Sequence, residues 1–174
     1  CDVDDFCQSF VPQWQRDLVE AGQKHRHRQQ RLSTSEIMTI IIHFHQSHYR
    51  DFKTFYTVHV QQHLSKEFPN LLSYARFVRL MPSTLIPLCA YLKSRYDQCS
   101  GISYIDSTKV QVCDNKRIKR NRVFAHAATV GKSTMGWFYG FKLHLVVNDC
   151  GGLLEVKLTP ANEDDRAPVA SMVS

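Results

Sequence analysis

Apolar and polar residues alternate with two different periods along the chain, and the period changes near residue 100. Before that point, apolar residues recur at three- and four-residue intervals, which is the spacing of one buried helical face. After it, residues alternate with a period of two and glycine recurs, which is typical of strands. The pattern predicts an α+β protein, with an all-helical domain over residues 1–99 and a strand-containing α/β domain over residues 100–174.

Several amphipathic helices are predicted in the first domain. The first of them carries apolar residues at helical spacing, namely Phe6, Phe10, Trp14, Leu18 and Ala21. The run Ser33-Thr-Ser-Glu36 is a capping-box sequence, and a helix of about fifteen residues should follow it. Three further helices are expected between Pro, Asn or Ser residues, over 52–64, 73–81 and 85–96.

Three antiparallel strands and the start of a helix are predicted in the second domain. The strands are expected over 104–108, 136–147 and 153–158, and the run Asn-Asp-Cys-Gly-Gly forms a turn before the last one. A helix is expected to begin within 159–166, with Asp165 in its first turn. A carboxylate at that position is stabilised by the helix dipole.

Positive charge is clustered in this chain, whose formal net charge is +6. One cluster contains Lys24, Arg26, Arg28 and Arg31. The other contains Lys116, Arg117, Lys119, Arg120 and Arg122, and Lys132 and Lys142 are expected to extend the same face. Such clusters favour a polyanionic partner such as DNA, although an exposed linker and a solvated loop are the alternative interpretations.

Other classes of protein are disfavoured by the sequence. The six cysteines are scattered without a Cys-x-x-Cys pair, which argues against a disulfide framework and indicates reduced thiols in a cytoplasm. The apolar run 37–43 is far too short to span a membrane, and no signal peptide is visible. His43, His45, His48, His59 and His63 lack a His-Glu-x-x-His pattern, so zinc is not expected.

Asp106 is the candidate catalytic residue and metal ligand, because it is an acid in a strand otherwise rich in β-branched and aromatic residues. One interpretation is a cap at the end of the strand. The other is a ligand for a hard divalent cation, with the basic run 116–122 holding a phosphate backbone nearby.

Three segments in this order resemble one protein family. They are Asp-Ser-Thr at 106–108, Gly-Trp-Phe-Tyr-Gly-Phe-Lys-Leu-His at 136–144, and Thr-Pro-Ala-Asn-Glu-Asp-Asp-Arg at 159–166. Together they resemble bacterial insertion-sequence transposases of the DDE class, over about residues 101–174. The resemblance implies a ribonuclease-H-like catalytic domain in which Asp106 is the first of three acids.

The same resemblance implies the cofactor and the partners. The full-length enzyme would use two Mg²⁺ ions, or Mn²⁺, to cleave DNA phosphodiesters and join strands. Its partner would be double-stranded DNA at transposon ends and at the target, bound by a homo-oligomer without a membrane, in the bacterial cytoplasm at the nucleoid.

The chain also departs from the family pattern. No Asp-x-Gly-Tyr segment supplies the second acid, and Asp165 fits a helix terminus better than a metal site. We therefore expect a transposase fragment that ends before its second and third acids and is inactive alone.

Two alternatives stay open. One is a non-catalytic DNA-binding remnant or regulator of transposon ends, which uses residues 72–81 as a helix-turn-helix with Arg76 and Arg79 toward DNA. The other is a ribonuclease-H-like nuclease that acts on RNA or on recombination junctions.

Overall fold

Two compact units make up the protein. The computed structural model describes residues 2–22 and 31–172. The units are Cys1–Ser94, which is helical, and Arg95–Ser174, which contains a four-stranded antiparallel sheet. The predicted α+β class is confirmed, and the sheet has one strand more than the sequence analysis predicted.

Helices α1 to α6 belong to the first unit. Their bounds are α1 Asp2–Glu20, α2 Thr34–Gln46, α3 Phe52–Thr54, α4 Gln61–His63, α5 Tyr74–Leu80 and α6 Leu85–Lys93. A π-helical segment, Phe55–Val60, joins α3 to α4, and a 3-10 turn, Met81–Thr84, joins α5 to α6. No described helix is both long and apolar enough to cross a membrane.

The predicted capping box at the start of α2 is confirmed. The Ser33 hydroxyl accepts the Glu36 N–H at 3.1 Å, and the Glu36 carboxylate accepts the Ser33 N–H at 2.7 Å. Two backbone donors that the first turn leaves free are thereby satisfied.

A buried cluster of aliphatic and aromatic side chains forms the main core of the helical unit. Its members are Leu32, Ile37, Ile40, Phe55, Tyr56, Val60, Leu72 and Phe77. The rings of Tyr56 and Phe77 lie 4.6 Å apart between centroids, and the Tyr56 hydroxyl donates to the Leu72 carbonyl at 2.7 Å. The buried phenol therefore keeps a hydrogen-bond partner inside an otherwise apolar core.

Four strands and a short helix lie in the second unit. Their bounds are β1 Ser103–Cys113, β2 Thr129–Ser133, β3 Gly136–Asn148, β4 Leu153–Pro160 and α7 Val169–Met172. A 3-10 turn, Asn115–Arg120, follows β1.

Strand β3 is the centre of the sheet. β2 pairs with Gly136–Gly140 and β4 pairs with Phe141–Val147. Gly140 is opposite both Gln111 of β1 and Thr129 of β2, so β1 lies on one edge of β3 while β2 and β4 share the other. At Gly140 a side chain would collide with the backbone of β1, because its Cβ would meet the Val110 carbonyl.

Alternation along the strands gives the sheet two different faces. The pairs Ser107–His144 and Lys109–Lys142 belong to one face, here called the His144 face. The pairs Asp106–Leu145, Thr108–Leu143 and Val110–Phe141 belong to the other, here called the Asp106 face.

The helix predicted within 159–166 begins later in the structure. Residues 161–168 form turns and a bend, and α7 starts at Val169. The Asp164 carboxylate accepts the Arg166 N–H at 2.8 Å, which closes one of these turns. The expectation that Asp165 lies in the first turn of a helix is therefore wrong.

Candidate active site and nucleic-acid interface

Asp106 lies in the interior of β1 with its side chain exposed on the Asp106 face. One carboxylate oxygen accepts the backbone N–H of Ser107 at 2.8 Å. The residue as a whole is exposed to solvent. A cation or a phosphate-bound metal ion can reach it.

The chemistry of Asp106 fits one ligand of a magnesium ion. Mg²⁺ prefers oxygen ligands and is often held by one or two carboxylates, with water and phosphate oxygens completing its shell. Within residues 2–22 and 31–172, no three His, Cys, Asp or Glu side chains converge as a metal site. Asp106 thus offers one carboxylate to a metal ion, and the described residues do not form a complete two-ion site.

Asp165 lies on the opposite side of the sheet from Asp106. Its carboxylate pairs with the Lys142 ammonium at 3.0 Å. Asp106 and Ser107 are consecutive strand residues, so their side chains point to opposite faces. Because Lys142 belongs to the His144 face together with Ser107, its partner Asp165 lies on that face too, and the two carboxylates do not face one another across a common metal position.

The surroundings of Asp165 keep it ionised. Partial burial raises its pKa, but the hydrogen bonds from Lys142 and Ser107 and the attraction of Lys142 and His144 outweigh burial. The net result is a pKa below the usual value of 3.8. The ion pair between Asp165 and Lys142 connects the segment after β4 to strand β3.

Lys142 already has internal partners for its ammonium group. Its side chain is 12% exposed, and its ammonium also donates to the Glu163 carbonyl at 2.7 Å. Although the sequence analysis grouped it with the DNA-binding lysines, the structure places it on the His144 face and within internal hydrogen bonds. A phosphate would have to displace those bonds.

His144 is a buried structural residue in this sheet. It is 1% exposed, and its Nε2 atom lies 2.9 Å from the Thr159 hydroxyl, across the β3–β4 pair. The partner satisfies a polar atom that burial would otherwise leave without a hydrogen bond.

The basic turn, defined here as Asn115–Arg120 with Arg122, displays its cations to solvent. The Asp114 carboxylate accepts the Lys116 N–H at 2.9 Å and caps the 3-10 turn. Five side chains are exposed, namely Lys116, Arg117, Lys119, Arg120 and Arg122. Within the described chain none of the five makes an ion pair or a side-chain hydrogen bond, so their charge is available to an anionic partner.

A second exposed group lies at the tip of the β2–β3 hairpin. Lys132 and Trp137 are directly opposite one another in the two strands, and both are exposed. The Asn115 amide donates to the Trp137 carbonyl at 2.9 Å, which links the hairpin to the basic turn. The sequence analysis identified Trp137 only as a strand residue. Adjacent strand residues point to opposite faces, so a buried Phe138 would have indicated that Trp137 is exposed.

The helical unit also carries exposed cations, including those of the predicted helix-turn-helix. Arg76 and Arg79 are exposed on α5, whose Phe77 is buried in the core. Arg31 is exposed as well, while Lys24, Arg26 and Arg28 lie outside the described residues.

Two histidines of this unit meet, since His43 Nε2 lies 3.2 Å from His59 Nε2. The described part of the chain adds no third ligand to them.

Comparison with known proteins bears on the second unit. Residues 96–174 match the family model described as transposase DDE domain. This segment is similar to transposase DDE domains. It contains Asp106, the basic turn and all four strands, and it makes up less than half of the chain. The match supports a transposase-family role. Neither a curated protein nor a solved structure matches the chain significantly.

Proposed function

We propose that the chain acts in DNA transposition, as the part of a DDE transposase that carries the first catalytic acid. The observation that carries this proposal is an exposed strand carboxylate, Asp106, in a segment that matches the transposase DDE domain. The unpaired cations of the basic turn support DNA as the partner. In this proposal the parent enzyme is a bacterial insertion-sequence transposase, assembles as a homo-oligomer on DNA and works at the nucleoid.

In the full-length parent, Asp106 would be one ligand of the Mg²⁺ ions, with Mn²⁺ as a substitute. Bound metal supplies an activated water and stabilises charge at the phosphorus during in-line displacement. The other acids would come from residues outside the described set, because Asp165 lies on the opposite face and is paired with Lys142. Cleavage of a phosphodiester at the transposon end and joining to target DNA would both use this site.

Asp106→Asn in the full-length parent tests the catalytic assignment. The change removes a ligand charge and leaves the basic turn intact, so we expect Mg²⁺-dependent cleavage of end DNA to disappear while DNA binding stays near wild type. Asp165→Asn is the matched control on the other face, and it should cleave normally. Cleavage by Asp106→Asn within a few-fold of wild type would contradict the assignment.

The basic turn is tested through the salt dependence of binding. Replacing its five cations with glutamine should weaken DNA binding. If three of them contact phosphates, the slope of log affinity against log salt should shrink by roughly three units. Three exposed lysines of the helical unit, Lys53, Lys66 and Lys93, provide the control. An unchanged slope would make the turn an ordinary solvated loop.

A second candidate is a DNA-binding protein without catalysis, such as a regulator that occupies transposon ends. The described residues bring no group of three metal-ligating side chains together, and the basic turn carries unpaired cations; both observations favour this candidate. A gel-shift of end DNA without Mg²⁺-dependent nicking would distinguish it from the enzyme. In that case Arg76 and Arg79 should contribute to binding.

A further inference from the structure

We propose that Trp137 and Lys132 form a stacking site for an unpaired nucleotide of DNA, so that this chain binds single-stranded or locally opened DNA beside the basic turn. The proposal rests on the DNA-binding role proposed above and specifies the form of DNA that is recognised. It starts from the indole of Trp137, which is 64% exposed although tryptophan is large and apolar.

The hairpin holds the indole in a defined place. Trp137 and Lys132 are cross-strand partners in the β2–β3 pair, so their side chains emerge side by side from one face. The Ser133 hydroxyl donates to the Gly136 carbonyl at 3.2 Å and accepts the Met135 N–H at 3.3 Å, which closes the tip. An aromatic ring on such a scaffold offers its face to a ligand with little loss of conformational freedom.

An aromatic face beside a cation suits an unpaired nucleotide. A base stacks on the indole, and an ammonium neutralises the adjoining phosphate. Inside intact duplex DNA both faces of each base are covered by neighbouring bases. The site therefore accepts a base only where the strand is single, gapped or opened.

The basic turn provides the path for the rest of the strand. The hydrogen bond from Asn115 to the Trp137 carbonyl, at 2.9 Å, holds the two elements together. A strand that stacks one base on Trp137 would thus pass over neighbouring cations of the turn. None of these cations is paired within the described residues.

Trp137 also shares a face with the candidate catalytic residue. Trp137 and Leu145 are an even number of positions apart in β3, so their side chains lie on the same face of the sheet. Leu145 is directly opposite Asp106 in β1. Eight residues separate Trp137 from Leu145, which corresponds to about 26 Å of strand. Between them, Phe124 covers Phe141 with a ring separation of 5.7 Å. A strand bound at both places would therefore have to span about 26 Å of this face.

The test compares single-stranded and duplex oligonucleotides of the same sequence in equilibrium binding to the full chain. Trp14 is the other tryptophan, so a Trp14→Phe background makes quenching of Trp137 fluorescence a direct signal. We expect single-stranded DNA to quench the indole. Trp137→Ala should weaken single-strand binding about tenfold or more and leave duplex binding within about twofold, whereas Trp137→Phe should retain most of the affinity.

Two further variants complete the test. Lys132→Gln should lower single-strand affinity several-fold and reduce the salt slope by about one unit. Leu158→Ala removes another exposed apolar side chain of the sheet, 55% exposed, and should change neither affinity.

The outcomes separate this proposal from the broader one. Normal duplex binding with no effect of Trp137→Ala overturns the stacking site alone, whereas absence of any DNA binding overturns the proposed function as well. A change of oligomeric state in Trp137→Ala, with single-strand affinity intact, would assign the indole to a protein interface and likewise overturn the stacking site.

Discussion

The two units use their apolar residues in different ways. In the helical unit, Phe55, Tyr56 and Phe77 are completely buried within one cluster. In the sheet unit, Tyr104 is 60% exposed and Trp137 64% exposed, both on strands that the sequence marks as apolar. Apolar patterning therefore identifies an element and leaves open whether that element packs internally or presents a surface.

The sheet unit is also stabilised by polar contacts between side chains on its His144 face. His144 meets Thr159, Lys142 meets Asp165, and the Asn148 amide donates to the Asp97 carboxylate at 2.8 Å. Such contacts contribute less free energy than deep apolar burial, since each replaces a hydrogen bond to water. We therefore expect core substitutions in the helical unit to have the largest effect on stability.

Phe77→Ala should give the largest loss. It removes a ring that is 0% exposed and packs against Tyr56, so the free energy of unfolding of the helical unit should fall by about 3–5 kcal/mol. Urea unfolding followed by far-ultraviolet circular dichroism measures this. The neighbouring Val78→Ala, at a side chain 39% exposed, is the control, and an equal loss in both variants would contradict the comparison.

Thr159→Val should give an intermediate loss in the sheet unit. The shape of the side chain is kept, but the buried His144 Nε2 atom loses its partner at 2.9 Å. We expect the free energy of unfolding to fall by about 1–3 kcal/mol. Thr108→Val, at an exposed position on the other face, should stay within about 0.5 kcal/mol of wild type. No difference between the two variants would show that the His144 contact is dispensable.

Asp165→Asn should give the smallest loss. The pair with Lys142 involves a carboxylate that is 57% exposed, so its contribution is about 0.2–1 kcal/mol at neutral pH. Because the pKa of Asp165 is lowered from 3.8 in the fold, this stabilisation is present above that value and is lost as pH falls through the lower folded pKa. Unfolding curves of wild type and variant should converge in that acidic range. A constant difference at all pH values would contradict the ion pair.

Much of the fold was predictable because local signals agree with the final packing. The capping box at Ser33 and Glu36 predicted the start of α2, and alternation predicted β1, β3 and β4. The candidate site was predictable in part, since Asp106 and the basic turn are each short local patterns. Their roles in catalysis and DNA binding stay predictions.

Other features depend on contacts that no local pattern reveals. β2 is only five residues long, contains Gly131 and Lys132, and forms because it pairs with the start of β3. The π-helical segment within 52–63 has the same apolar spacing as an ordinary helix. Asp165 pairs with Lys142 and does not lie at a helix terminus, because the β3–β4 hairpin brings together residues far apart in the sequence.

The length of β3 has a consequence for insertions and deletions. This one strand carries Trp137 near its beginning and pairs with Asp106 near its end. Deleting one residue between them would turn the indole to the opposite side of the sheet, whereas deleting two would keep its side and shorten the separation by about 7 Å. Insertions and deletions in this strand should therefore occur two residues at a time. Each step would change by that distance the length of DNA strand that spans the two sites.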